Sequence, residues 1–236
     1  MKIRLDILRT KRGGGSYLQS AYFEYSDPKT TVAAALTEIN ASDQYKDTEG
    51  KSVDKIKWEC SCLQKKCGAC AMVIGGKPCL ACDSVLSDFR ESVRIEPLRK
   101  FPVIEDLIVD RSAIFDRLRD MQIWFEQQAQ NDETSTDTAY EASRCLQCGC
   151  CLEVCPNFCV DEKFVGMSAA VPASRLIAQT DKGQAKQLYD LYKKRVYEGC
   201  AKSLACRNIC PAGIDIDVLL VSSNAAAVWK RKKKRG

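Results

Sequence analysis

Histidine is absent from all 236 residues of this chain. Without an imidazole, the chain alone cannot build a Rieske centre, bind a haem iron through histidine or use histidine as a general acid or base. Long hydrophobic runs are also missing. The longest candidate, residues 218–229, is about a dozen residues long and contains Ser222, Ser223 and Asn224. We therefore expect no membrane-spanning helix, and the alternating charges of the first residues predict no secretory signal.

Cysteine is abundant instead. The fifteen cysteines form three groups: six at residues 60–82, six at 145–159 and three at 200–210. An odd number argues against a simple disulfide framework, and a hydrophobic content of 45% is ordinary for a chain with its own core. Thiols at short spacings without histidine indicate iron–sulfur clusters.

Hydrophobic periodicity divides the chain into a mixed half and a helical half. Period-two alternation and turn residues predict strands in the first half, at residues 2–8, 17–25, 71–74 and 93–95. Thr31 is expected to cap a helix there, and Gly75-Gly76 to form a hairpin turn. The halves are expected to meet near residues 101–110, which predicts domains at 1–104 and 105–236.

The second half shows helical spacing. One stripe consists of Ile114, Leu118, Met121 and Phe125, and another of Ala185, Leu188, Tyr192 and Val196. Residues 129–137 are polar and predict an exposed loop. Thr138-x-x-Glu141 has the pattern of a capping box that would start a short helix leading to Cys145. A last helix is expected at residues 215–229.

The first cysteine motif is Cys62-x4-Cys67-x2-Cys70. This spacing is the plant-type [2Fe–2S] pattern, in which small residues such as Gly68 let the backbone approach the cluster. The pattern requires a fourth cysteine further along. Cys79 and Cys82 both lie at a suitable distance, and spacing does not choose between them. Zinc usually takes two short cysteine pairs, which this motif does not match.

The second motif, Cys145-x2-Cys148-x2-Cys151-x3-Cys155-Pro156, is the bacterial ferredoxin run, in which the fourth cysteine ligates the other cluster. The third motif repeats this register at residues 200–211, with Ser203 in place of the second cysteine. The count predicts a [4Fe–4S] cluster on four thiolates and a [3Fe–4S] cluster on three. The first set is Cys145, Cys148, Cys151 and Cys210; the second is Cys155, Cys200 and Cys206, with Ser203 at the vacant corner.

Eleven cysteines are thereby assigned. The other four are expected to be buried thiols packed near the clusters: Cys60, Cys150, Cys159 and one of Cys79 and Cys82.

A [2Fe–2S] half followed by a helical half with [4Fe–4S] and [3Fe–4S] sites resembles the iron–sulfur subunit of succinate dehydrogenase and fumarate reductase. The resemblance covers nearly the whole chain and includes Trp58 and residues 94–98, 101–104, 106–107, 109–110, 155–157 and 175–177. In that family the fourth [2Fe–2S] ligand ends a Leu-Ala-Cys sequence. Here that sequence is Leu80-Ala81-Cys82, which implies that Cys82 is the ligand and Cys79 is free.

The resemblance implies an α+β fold, with an N-terminal β-grasp plant-type ferredoxin domain and an all-α bacterial-ferredoxin-like domain. It also implies two partners, an FAD-containing flavoprotein that acts on the dicarboxylate and a cytochrome b-type membrane anchor that binds quinone, with haem b where the anchor carries it. This chain would relay electrons between them at the cytoplasmic face of the membrane. No catalytic residue is expected on it.

Two positions depart from the ubiquinone-using relatives. Val160 stands about where those relatives carry a tryptophan, and Ala201 where they carry a histidine. Both departures favour menaquinone. The alternatives to this interpretation are the iron–sulfur subunit of another flavin oxidoreductase complex and a free-standing multi-cluster ferredoxin.

The C-terminal residues 230–235 are all basic. Such a run is either a solvated end or a segment attracted to anionic headgroups or to an acidic partner loop. No basic, aromatic-interleaved surface accompanies it, so nucleic-acid binding is not expected.

Overall fold

A computed structural model describes residues 1–126, 128–129, 133–180 and 182–229 of the chain. Contacts divide the chain into two units, Met1–Asp110 and Arg111–Gly236. The first unit ends within residues 101–110, where the sequence predicts that the two halves meet. The domain limits at residues 104 and 105 stay a prediction. The basic run at 230–235 lies outside the described residues.

The first unit contains a five-stranded sheet and one helix. The sheet order is β2-β1-β5-β3-β4, with β1 and β5 parallel and all other neighbours antiparallel. The elements are β1 (Lys2–Thr10), β2 (Ser16–Glu24), α1 (Val32–Ala41), β3 (Ala71–Ile74), β4 (Lys77–Leu80) and β5 (Ser92–Glu96).

Local sequence explains these elements. On β1 the apolar residues Ile3, Leu5 and Ile7 are buried, while the charged residues Lys2, Arg4 and Asp6 alternate with them and are more exposed. The Thr31 side chain accepts a hydrogen bond from the Ala34 amide and caps α1. A glycine pair with positive φ turns β3 into β4, because this turn needs a left-handed backbone. The predicted strands and cap are confirmed.

A short hairpin, β6 (Val103–Glu105) and β7 (Ile108–Val109), follows the main sheet. Its turn places Asp106 in a buried ion pair with Arg9 of β1, at 2.9 Å. The Asp106 carboxylate also accepts the backbone amides of Thr10 and Lys57. Nothing in the local sequence pattern predicted this pair, because its partners are 97 residues apart.

The second unit is helical. Its helices are α2 (Ser112–Asp120), α3 (Glu133–Ser143), α4 (Cys150–Glu153), α5 (Met167–Gln179), α6 (Lys182–Tyr192) and α7 (Ile216–Asn224). α6 and α7 continue as π-helical turns, Lys193–Tyr197 and Ala225–Trp229. One hydrophobic core, centred on α5, joins α3, α5, α6 and α7. Five cysteines of the second and third motifs pack against it: Cys145, Cys151, Cys200, Cys206 and Cys210.

Three predictions for this half are wrong. The residues from Glu133 onward, expected to lie in a loop, belong to α3, and Thr138 lies inside that helix instead of capping it. The stripe from Ile114 predicted a helix reaching Phe125, but α2 ends at Asp120.

Helix α5 was not identified from the sequence at all. It is buried on nearly every side, so it lacks a polar face that would give a helical period, and it contains Pro172. Gly166 precedes it with φ +70°, and a Cβ there would lie 2.2 Å from a Leu152 methyl carbon. The start of α5 therefore depends on a contact with α4.

Candidate iron–sulfur sites

The loop after Cys62 directs backbone amides at thiol sulfurs. The amides of Gln64 and Lys66 lie 3.3 and 3.4 Å from the Cys62 sulfur, and the Lys65 amide lies 3.3 Å from the Cys82 sulfur. Leu63 and Lys65 hold positive φ angles, and the three consecutive amides of residues 64–66 all meet sulfur. Such donors stabilise anionic sulfur, so this loop fits a cluster bound through thiolates.

The four thiols predicted for [2Fe–2S] meet in two pairs, Cys62 with Cys67 and Cys70 with Cys82. Hydrogen bonds, chiefly from backbone amides, lower the pKa of Cys62 to about 7. Burial raises the pKa of Cys70 to about 12, and Cys82 adds to the increase. Two irons that share four thiolates need this arrangement.

Cys79 does not join this group. It lies on β4, where its sulfur accepts a hydrogen bond from the Ser84 hydroxyl at 3.1 Å. Lys65 instead links the ligand loop to the neighbourhood of Cys82, through its amide and through an ion pair with Asp83 at 2.7 Å. The geometry therefore favours Cys82, the residue that the family resemblance implies.

The four thiols predicted for [4Fe–4S] line a single cavity. Cys145, Cys148, Cys151 and Cys210 all border it, together with apolar residues that include Met167, Val171, Ile214 and Ile216. Burial raises the pKa of Cys145 to about 11 and raises the pKa of Cys151 well above its ordinary value. Buried thiols of this kind stay protonated without metal, and iron would displace the proton. The donor set fits a cubane cluster.

The motif segments are tied together by side chains outside the motifs. The amide of Asn157 donates to the Gly199 carbonyl at 2.8 Å, which joins the end of the second motif to the start of the third. The Glu141 carboxylate accepts the Asp215 amide at 3.0 Å, and Arg144 donates to the Ala212 carbonyl. These contacts hold Cys210 near the second motif.

The three thiols predicted for [3Fe–4S] also lie together. Burial raises the pKa of Cys206 to about 11, and its neighbours Cys155, Cys200 and Cys210 contribute. Ser203 lies exposed in the loop between Cys200 and Cys206, with its hydroxyl 3.5 Å from the Ala205 amide. Lys202 and Leu204 have positive φ, as Leu63 and Lys65 do in the first loop.

The four remaining cysteines do not behave alike. Cys150 is fully buried, and a hydrogen bond with it lowers the pKa of Cys148 to about 7. Cys60 and Cys159 are exposed. The expectation that the spare thiols are buried is therefore wrong for these two.

Arg117 is a further residue that the sequence did not single out. Its guanidinium is buried and donates to the carbonyls of Cys159, Val160 and Phe164, at 2.8, 3.0 and 3.4 Å. It lies over the Phe158 ring, and burial lowers its pKa. Arg117 thus fixes the segment that follows Cys155-Pro156.

Among the described residues, no three histidine, cysteine, aspartate or glutamate side chains converge closely enough to bind one metal ion. Cubane thiolates each bind a different iron, so they are spaced more widely than the ligands of a single ion. None of the helices in the described ranges has the length and apolar character needed to cross a bilayer.

Both halves match known domain families. Residues 4–116 match the family described as a 2Fe-2S iron-sulfur cluster binding domain, and residues 141–214 match the 4Fe-4S dicluster domain. The order of the two domains agrees with the order of the cysteine motifs.

Curated relatives match across most of the chain. The succinate dehydrogenase iron-sulfur subunit of Bacillus subtilis is 33% identical over 208 residues, covering 84% of this chain and 81% of that protein. The fumarate reductase iron-sulfur subunit of Haemophilus influenzae is 30% identical over 193 residues, covering 72% and 75%. A chain of the Mycobacterium smegmatis Sdh1 complex, solved in the apo form, has a TM-score of 0.79 at 22% identity and covers 98% of this chain and 97% of that one. The predicted α+β fold class is confirmed.

Proposed function

The chain belongs to the family of iron–sulfur subunits of succinate dehydrogenase and fumarate reductase, and we propose that it carries single electrons between an FAD-containing flavoprotein and a quinone site on a membrane anchor. The single observation that carries this proposal is that the thiols predicted as ligands lie near one another: Cys62 near Cys67 and Cys70 near Cys82, then Cys145, Cys148, Cys151 and Cys210 around one cavity, and Cys206 near Cys155 and Cys200. When bound there, [2Fe–2S], [4Fe–4S] and [3Fe–4S] clusters would supply one-electron carriers in that order.

The residues of the chain have two tasks in this proposal. Backbone amides of the loop after Cys62 donate to thiolate sulfur and so stabilise the anionic ligand set. Cys155 belongs to the second motif, but its sulfur lies near Cys206 of the third. Cys210 belongs to the third motif, but it lines the cavity formed with the thiols of the second. This exchange ties the two sites of the helical unit to one core and fixes their separation.

For the quinone, the proposal is menaquinone. Val160 and Ala201 are small side chains where ubiquinone-using relatives carry tryptophan and histidine, as noted from the sequence. Val160 belongs to the segment held by Arg117, so a larger ring there would have to fit against a fixed backbone. The chain would sit on the cytoplasmic face of the membrane, bound to a cytochrome b-type anchor.

The test is isolation of the native complex, followed by redox-titrated EPR and by succinate and fumarate assays with different quinones. Three signals of the [2Fe–2S], [4Fe–4S] and [3Fe–4S] types, with a co-purifying flavoprotein, are the expected result. A chain that purifies alone and still passes electrons would support a free ferredoxin instead. If the complex reduces ubiquinone as efficiently as it reduces low-potential naphthoquinones, the menaquinone proposal is contradicted. The proposed electron-transfer function is not affected by that result.

A further inference from the structure

The cavity bordered by Cys145, Cys148, Cys151 and Cys210 contains unpartnered polar groups. Within the described residues, three buried side-chain polar atoms have no hydrogen-bond partner: Gln147 Oε1, Ser168 Oγ and Thr180 Oγ1. Gln147 and Ser168 both line this cavity, whereas Thr180 does not. An unpaired buried polar atom destabilises a fold, so two at one cavity call for a physical explanation.

The amide group of Gln147 is held in one orientation. Its nitrogen lies 3.2 Å from the Cys145 sulfur and 3.0 Å from the Ser168 carbonyl oxygen. Both neighbours are acceptors, so the two amide hydrogens are used and the reversed amide would bring oxygen against oxygen and sulfur. This orientation leaves Oε1 without a hydrogen-bond partner. It also directs the amide nitrogen at the sulfur of a predicted cluster ligand.

The Ser168 hydroxyl is the second donor. Ser168 is 1% exposed, near the start of α5, and its Oγ has no partner in the protein. Most other residues of the lining are apolar or carry thiols, and the Ser168 hydroxyl makes no hydrogen bond with the unpartnered Gln147 Oε1, so the thiol sulfurs are the remaining side-chain acceptors at this cavity. A bound cluster would bring inorganic sulfide as well as thiolate into reach.

We propose that Gln147 and Ser168 donate hydrogen bonds to the sulfur atoms of the [4Fe–4S] site and thereby raise its midpoint potential. The inference rests on the proposed function, since it requires that cluster. Reduction adds one electron and one negative charge without breaking a bond. Hydrogen bonds to sulfur strengthen with that charge, so the two donors favour the reduced state. Both are positioning residues and neither is a ligand.

The experiment is a redox titration of the intact complex, followed by EPR, for Gln147→Met and Ser168→Ala. Each variant removes a donor and nearly keeps the side-chain volume. Each is expected to lower the equilibrium constant for one-electron reduction of [4Fe–4S] by about threefold to tenfold, where tenfold equals 59 mV for a one-electron couple. The [2Fe–2S] and [3Fe–4S] clusters in the same sample are internal references and should not move.

Thr180→Val is the matched control, because it removes a buried unpartnered hydroxyl away from the cavity at almost constant volume. Its [4Fe–4S] potential should equal that of the unaltered complex. If Gln147→Met does not retain the cluster, Ser168→Ala decides alone, since it removes only one oxygen atom.

Unchanged potentials with a full [4Fe–4S] signal would overturn the inference. So would an equal shift in all three clusters or in Thr180→Val, because either would reflect a general loss of packing. The absence of a [4Fe–4S] signal from the unaltered complex would instead refute the proposed function, and this inference with it.

Discussion

The buried ion pair between Arg9 and Asp106 gives the sharpest stability prediction. Both residues are 4% exposed, and two guanidinium nitrogens each lie 2.9 Å from a carboxylate oxygen. The carboxylate also accepts the amides of Thr10 and Lys57, at 3.2 and 2.9 Å. One side chain therefore joins β1, the β6–β7 turn and the segment that leads to the first cysteine motif.

Asp106→Asn removes the charge at nearly constant shape. Asparagine tolerates the positive φ of 47° at this position, so the backbone should not add a cost of its own. Arg9 is left buried without a counter-charge, for which we expect a loss of about 3–5 kcal/mol. For a unit of this size that corresponds to a melting temperature lower by roughly 10–20 °C.

Urea unfolding of the whole chain, followed by far-UV circular dichroism and by the visible circular dichroism of [2Fe–2S], measures this loss. The matched control is Lys2→Gln, which breaks the exposed pair of Lys2 with Glu24 and should change stability by about 0–1 kcal/mol. A decrease in the free energy of unfolding below about 1 kcal/mol for Asp106→Asn would refute the reasoning, because the buried pair would then contribute no more stability than an exposed pair.

Three further predictions concern the cysteine sites. Cys82→Ser should abolish or strongly alter the [2Fe–2S] EPR signal while Cys79→Ser leaves it intact, and the reverse result would reassign the fourth ligand. In the metal-free chain, Cys62 should be alkylated by iodoacetamide with a half-maximal rate near pH 7, because its pKa is lowered and the thiolate persists down to that pH. Cys70, with a pKa raised to about 12, should be nearly unreactive at neutral pH, and equal labelling of the two by mass spectrometry would contradict the amide-donor geometry. Ser203→Cys should convert [3Fe–4S] into [4Fe–4S] and lower its potential, and a full oxidised [3Fe–4S] signal in that variant would exclude Ser203 as the vacant corner.

Much of the first unit follows from local sequence. Each signal there acts within a few residues, so the local sequence is enough to predict the element. The signals are the alternation of Ile3, Leu5 and Ile7, the Thr31 cap and the Gly75-Gly76 turn. The local sequence predicted the helices of the second unit less well. Helix α5 is buried by helices from both sides of it in the sequence, and burial on all faces removes the periodic signal that identifies a helix.

Cysteine spacing by itself predicted the kinds of cluster, the number of thiols for each and a vacant position at Ser203, because ligand geometry around iron imposes fixed intervals along the chain. Spacing did not choose between Cys79 and Cys82, and the family resemblance implied Cys82. The tertiary structure added the physical difference: the Lys65 amide meets the Cys82 sulfur, whereas the Cys79 sulfur accepts the Ser84 hydroxyl. The tertiary structure alone also showed the Gln147 amide beside the Cys145 sulfur and the unpartnered Ser168 hydroxyl at the same cavity. Gln147 has a left-handed backbone and Ser168 lies on α5, 21 residues along the chain, so the sequence pattern does not predict that they meet at one cavity.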